Sequence, residues 1–185
     1  IARFEAVPSV LHEPKMLAKI KHSLFELFIS FHFTPFPKNA AIILNAEWHS
    51  RLPAFTSPAG RCLGMGAEYE GRYYATAIWS PPLARMLNYQ GIYELRRLAI
   101  APDAPKQTAI RMLRIMRLLI KRRMPDLKKL ISYQDTGVHD GTIYRAAGWK
   151  EARLDRGGEW SRPQLGRHNR PGQATTPKIR WEYVL

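Results

Sequence analysis

Apolar and polar positions change period several times along the chain, and each change marks an element. In PKMLAKIKHSLFELFISFHF, Leu17, Ile20, Leu24, Leu27, Phe28 and Phe31 recur at steps of three and four, predicting an amphipathic helix that Thr34-Pro35 stops. AAIILN predicts a short buried strand, and EWHSRLPAFTSPAG is too rich in Pro, Ser and Gly for regular structure. RCLGMGAEYEGRYYATAIW reads as two strands around a turn at Glu70-Gly71. After Pro81-Pro82 and a short helix-like piece, YELRRLAI is another strand.

The clearest helix runs from about Lys106 to Arg123. Ala109, Met112, Leu113, Met116, Leu119 and Ile120 share one face, while Arg111, Arg114, Arg117 and Lys121 form a stripe on another. Such a stripe is ordinarily a solvated face. Pro125 ends the helix, LKKLISYQ follows as a strand, GTIYRAAG as a two-turn helix, and GWKEARL and PKIRWEYV as strands. A strand-helix-strand succession implies parallel pairing through a right-handed crossover, and the hairpins imply antiparallel neighbours. The expected class is α/β: a mixed, mostly antiparallel sheet with a central parallel unit and helices on both faces. No internal repeat or boundary divides residues 1–185, so one domain is expected.

Composition narrows the setting. A chain that is 45% hydrophobic supports a real core, which argues against a disordered tail protein. No apolar run reaches the length of a membrane span, and the N-terminus lacks a basic-apolar-small signal pattern. The single Cys62 rules out an internal disulfide or a multi-cysteine metal site and fits a reducing cytoplasm. Net charge of +14 points to a polyanionic partner, because Lys and Arg release counterions when they neutralise phosphates. The long polar loop at about 155–176 interleaves Arg156, Arg162, Arg167, His168 and Arg170 with Trp160, a mixture that contacts phosphates and stacks on bases.

Chemistry is densest in SYQDTGVHDGTIYRAAGWK, residues 132–150. Asp135 follows a strand at its carboxyl end, the rim where open α/β sheets bind ligands, and it also suits a turn before Thr136-Gly137. Tyr144 is either a proton donor or a core aromatic with its hydroxyl at the edge. His49 and Ser50 lie just past AAIILN; a histidine there can serve as a base or bind a metal. His49, Asp135 and His139 together would make a two-histidine, one-carboxylate set of the type known for iron. Strand alternation turns Arg96 opposite to Arg97, one toward a site or DNA and the other toward a carboxylate.

YELRRLAIAPDAPKQTAIRMLRIM followed by GTIYRAAGWKE resembles the Gcn5-related N-acetyltransferase fold. In that family a glycine-containing turn at a helix start holds the pyrophosphate of coenzyme A on backbone N–H groups, and a later Tyr protonates the leaving thiolate. The resemblance puts a cofactor against Leu98, Ile100, Lys106, Gln107 and Thr108, and makes Tyr144 the proton donor. The turn Ala104-Pro105-Lys106-Gln107-Thr108-Ala109 departs from the pattern, having no glycine and one proline.

EWHSRLP, YELRRLAI, YQDTGVHDGTIYRAAGW and KIRWEYVL together resemble the Mom family of phage DNA-modification proteins, from about Asn45 to Leu185. That resemblance implies an enzyme converting adenine in DNA to its N6-carbamoylmethyl (acetamido) form, which blocks host restriction enzymes. It implies catalytic roles for His49, Ser50, Asp135 and Tyr144, acting on an adenine flipped out of double-stranded DNA. Arg96, Arg97, Trp160, Arg162, Arg167 and Arg170 are the expected DNA contacts. The donor is acetyl-CoA or a glycine-derived molecule such as an aminoacyl-tRNA, with iron as a further candidate cofactor. The expected setting is the cytoplasm of a bacterial host, with no membrane partner and the chain acting as a monomer or homodimer. Two other readings stand beside it: an acetyl-CoA-dependent N-acetyltransferase acting on tRNA or another amine, and a non-catalytic nucleic-acid-binding module.

Overall fold

Strands β1 (Leu63–Tyr69) and β2 (Arg72–Ser80) form the predicted hairpin, closed at Gly71 with φ near 76°, a left-handed conformation that glycine adopts freely. The computed structural model describes residues 38–49, 55, 62–69, 71–82, 84–87, 91–158 and 175–185. The helix expected from Leu17 to Phe31, Ser50, and the loop residues Trp160, Arg162, Arg167, His168 and Arg170 lie outside them. β3 (Ile92–Ile100) lies antiparallel to β2, and a 3-10 turn at Arg85–Leu87 is the helix-like piece between them.

Helix α2 (Thr108–Arg123) carries the chain across to β4 (Lys129–Asp135), which pairs parallel with β3. The short helix α3 (Thr142–Ala146) precedes β5 (Lys150–Asp155), and β6 (Lys178–Val184) inserts between β4 and β5. The six-stranded order is β1-β2-β3-β4-β6-β5, with one parallel pair. The mixed, mostly antiparallel class expected from the sequence is therefore correct.

Both faces of the sheet are covered. Met112, Leu113, Met116 and Ile120 of α2 pack on Ala75, Ala77, Trp79, Leu95 and Leu130, and the Trp79 indole N–H points at the Met116 sulfur, 3.1 Å away. The opposite face carries helix α1 (Lys38–Trp48), whose Ala41 meets Phe55 and Ile78. Here the sequence reading needs correcting, because AAIILN lies inside α1 and is not a strand. A six-residue apolar run suits a buried strand and a buried helix equally. The burial decides it: Ala41 and Asn45, four apart, are buried while Ile43 between them is 64% exposed.

The basic stripe of α2 is solvated at Arg114 and Lys121, as expected, and it also holds neighbouring elements. Arg114 donates to the Ala146 carbonyl at 2.6 Å, and Arg117 to Ala147 at 3.4 Å while lying over the Tyr183 ring. Lys121 donates to Pro125 and Leu127 carbonyls at 3.0 and 3.2 Å. These cations tie α2 to the carbonyl end of α3 and to the turn that follows α2 itself.

Candidate active site

The central parallel pair is short. Ile92 to Leu95 face Lys129 to Ser132, and past that point β3 runs on to Ile100 and β4 to Asp135 without pairing to each other. The strands part toward their carboxyl ends, the rim where open α/β sheets take ligands. A bulge prepares the parting: β2 pairs Ile78 with Arg97 but the next residue, Trp79, with Leu95, leaving Arg96 as the extra residue. That bulge corrects the expectation that Arg96 and Arg97 point oppositely. Both guanidinium groups lie over the Phe55 ring, at 5.9 and 5.4 Å from its centroid. Arg96 also pairs with Glu94 at 3.2 Å.

On the α2 side of the gap, Tyr144 stands under β4. Its hydroxyl is 2.8 Å from the Ser132 hydroxyl, and Ser132 belongs to the last paired rung. The Tyr144 ring stacks on Trp181 at 5.4 Å and meets Trp149 edge-on at 5.8 Å. Burial raises the phenol's pKa above 10.0 and the Ser132 hydrogen bond opposes it, so the hydroxyl stays protonated at neutral pH. It can give a proton or a hydrogen bond and is no base. Gln134 continues the same face, accepting from the Trp181 indole at 2.6 Å and donating to the His139 carbonyl.

The start of α3 depends on Gly141. It is left-handed at φ near 78°, and a Cβ there would sit 2.5 Å from the Trp181 ring and 2.6 Å from the Gln134 amide oxygen. Gly141→Ala should therefore lower stability by about 1–3 kcal/mol, read by chemical denaturation, through backbone strain and overpacking together. Asp140 caps the same helix, accepting from the Thr142 N–H at 3.0 Å, and this bond chiefly lowers its pKa.

The other face of the gap collects His49, Glu94, Arg96, Arg97, Tyr133 and Asp135. His49 is half-buried just beyond α1, its N–H bonded to the Asn45 carbonyl at 2.9 Å. Burial first, then the positive charge of Arg97, and more weakly that of His139, lower its pKa below 6.5, against a backbone hydrogen bond that raises it. The imidazole is therefore neutral at pH 7 and able to accept a proton. Residues 90 positions apart in sequence, His49 and His139, are brought within electrostatic range of each other.

Asp135 ends β4, where one carboxylate oxygen accepts from the Gly137 N–H at 3.0 Å and its carbonyl accepts from Val138 and His139. Its visible duty is to turn the chain so that His139 is presented. The metal set suggested by His49, Asp135 and His139 does not form: among the described residues no group of three His, Cys, Asp or Glu is placed to hold an ion.

At the start of α2, Gln107 takes the left-handed conformation, φ 69° and ψ 5°, the one non-glycine residue with positive φ among those described. The backbone thus keeps the turn that a glycine would make freely, at a strain of about 1–2 kcal/mol. Lys106 and Gln107 are exposed, Thr108 is buried with its hydroxyl donating to the Pro105 carbonyl at 2.6 Å, and Leu98 and Ile100 turn toward the α2-side core. Pro105 has no N–H and the Thr108 N–H is bonded to the Pro105 carbonyl at 3.3 Å, so this turn offers an anion fewer backbone donors than a glycine turn would, while the exposed Lys106 supplies positive charge beside it.

Ser132, Gln134, Asn45, Phe55 and Gly141 were not singled out in the sequence. The alternation Leu130, Ser132, Gln134 held a signal for two of them, since polar residues on a core-facing strand side need a buried partner.

A six-stranded mixed sheet parted at one parallel pair, with a helix starting at the gap, defines the N-acetyltransferase class of folds. A solved structure shares this fold: a ribosomal-protein-S18-alanine N-acetyltransferase from Escherichia coli superposes with a TM-score of 0.53 at 16% identity, covering 79% of this chain and 86% of that one. An IAA acetyltransferase from Bacillus cereus matches with a TM-score of 0.46 at 14% identity, over 68% and 79% of the two chains. No curated protein matches. Within that class the chain belongs to the Mom protein family, whose model matches residues 74–167, half of the sequence. The matched span contains β3, α2, β4 and α3, hence both sides of the gap. Among the described residues no helix is long and apolar enough to cross a membrane.

Proposed function

We propose that this protein transfers a carbamoylmethyl group to the N6 amine of adenine in DNA. The observation that carries the reading is the Mom-family match, whose span holds the parted strands and the protonated Tyr144 phenol; the neutral His49 imidazole, outside that span, lies on the other face of the sheet. In the reaction the adenine N6–CH2 bond forms and the bond from that carbon to its leaving group breaks. N6 loses a proton and the leaving group gains one. His49 accepts the first and Tyr144 supplies the second, with Ser132 fixing the phenol's direction and Asp135 acting as a positioning residue for the turn that bears His139.

The amine's lone pair is delocalised into the ring, so proton removal must accompany bond formation, and the base must leave the duplex to reach the opening. Net charge of +14 supports a nucleic-acid substrate. A donor with only an acetyl group would leave N6-acetyladenine, so for this displacement the donor must carry its leaving group on the CH2 carbon and already hold the terminal amide, as a glycinamide-type molecule does; a glycyl ester would need an amine source as well. Residues Lys106 to Thr108 and the open edge of β3 would hold its carrier portion, and coenzyme A or a tRNA end both bring the phosphates that Lys106 suits.

Nucleoside mass spectrometry of DNA from cells expressing the chain tests the reading. Carbamoylmethyl-deoxyadenosine is the expected product. N6-acetyl-deoxyadenosine, or acetylated tRNA with unmodified DNA, would move the protein to an acetyl-CoA-dependent transferase. Unmodified DNA and tRNA alike would leave a binding module.

A further inference from the structure

Helix α1 packs on β1, β2 and β3 and presents Ala41, Asn45 and then His49 at steps of four. Ala41 touches the Phe55–Ile78 cluster, His49 feels the charge of Arg97, and Arg97 stands opposite Ile78 with its guanidinium over Phe55. Asn45 lies one helical turn from each of Ala41 and His49, on the face of α1 that meets the sheet. Its side chain is 3% exposed, and its Nδ2 has no hydrogen-bond partner among the described residues. Arg97 repeats the pattern: Nη1 donates to the Arg96 carbonyl at 2.9 Å, while Nε is buried without a partner.

Buried donors are almost always paired, and two unpaired ones on the α1 face of the sheet leave room for an acceptor that arrives from outside. Charge narrows what arrives. Arg96 lies beside Arg97, and the carboxylate near both is Glu94, already 3.2 Å from Arg96. The occupant must bring acceptor oxygens and negative charge. With two guanidinium groups sharing Glu94, an occupant that brings negative charge suits the place better than a neutral carbonyl.

We infer that Asn45 and Arg97 form a binding site for an oxyanion, a phosphate or a carboxylate, on the α1 face of the sheet beside the parted strands. One oxygen accepts from Asn45 Nδ2 and another from Arg97 Nε, the charge-assisted geometry that guanidinium groups favour. In the proposed reaction the source is a backbone phosphate of the extruded nucleotide, or a carboxylate on a small reactant. The site itself does not depend on which base is modified, or on whether one is.

The full chain is melted in inorganic phosphate, in acetate and in chloride at equal ionic strength, and titrated with a short adenine-containing single-stranded oligonucleotide. At tenfold saturation the wild type should gain about 3 °C over chloride. Asn45→Leu and Arg97→Leu should lose that gain and weaken the oligonucleotide about tenfold or more. In chloride Asn45→Leu should melt within a few degrees of the wild type, since the buried Nδ2 donor that it removes has no partner among the described residues. A gain with phosphate and oligonucleotide identifies a nucleic-acid phosphate; a gain with acetate alone identifies a small carboxylate. No anion-dependent gain in the wild type, or the same gain in Asn45→Leu, would overturn the site. If Arg97→Leu does not fold, the Asn45 arm decides. Absence of modified nucleoside would sink the adenine reading without touching these outcomes.

Discussion

Tyr144→Phe leaves the fold in place and lowers modification about 10²–10⁴-fold, the usual contribution of a positioned proton donor. The phenylalanine ring keeps the stack on Trp181 and the edge contact with Trp149. What disappears is the hydroxyl 2.8 Å from Ser132, whose own hydroxyl is then buried without a partner, at a cost of about 1–3 kcal/mol. Stability should therefore fall modestly while the modified-adenine signal nearly vanishes, and a denaturation curve beside a nucleoside profile separates the two. Because burial holds the phenol protonated, the rate limb set by Tyr144 lies above pH 10.0. Unchanged modification in a folded Tyr144→Phe protein would remove this residue from the chemistry.

His49→Ala has a comparable effect for a different reason, about 10²–10⁴-fold, because it removes the proton acceptor on the other side of the opening. Its pH signature is the sharper test. A base works in its neutral form, and burial followed by Arg97 holds the His49 pKa below 6.5. Activity should be flat through neutrality and fall only as pH drops through that lowered value. Removing the Arg97 charge with Arg97→Gln lets the pKa climb back toward 6.5, so the acid limb should move to higher pH. A limb that does not move, or that moves to lower pH, would show that another group sets it.

The path from sequence to this site was uneven. Tyr144 was legible because its spacing to Gly148-Trp149 and its place on a short amphipathic helix are local properties. The turn role of Asp135 was also legible, since Asp before Thr-Gly is turn chemistry, and the carboxylate does bond the Gly137 N–H. Helix α1 was misread because Ile42 and Ile43 favour strands, while the deciding fact, which of them faces the sheet, is tertiary. The bulge at Arg96 breaks the two-residue period that any strand reading assumes, so the shared direction of Arg96 and Arg97 could not be derived from spacing. The approach of His49 to His139 follows from topology, which brings the end of α1 to the end of β4, and no local pattern encodes it.

The sheet's two outer strands, β1 and β5, each carry a register break, between Ala67 and Glu68 and between Glu151 and Arg153. β5 adds Lys150, Glu151, Arg153 and Asp155 to a nearly wholly exposed strand, with Ala152 and the 57% exposed Leu154 its apolar residues. A bulged, charged margin is a poor template for another chain's backbone. At β5, copies crowded together in an expressing cell therefore have little means of zipping edge to edge, where a flat apolar margin would invite pairing.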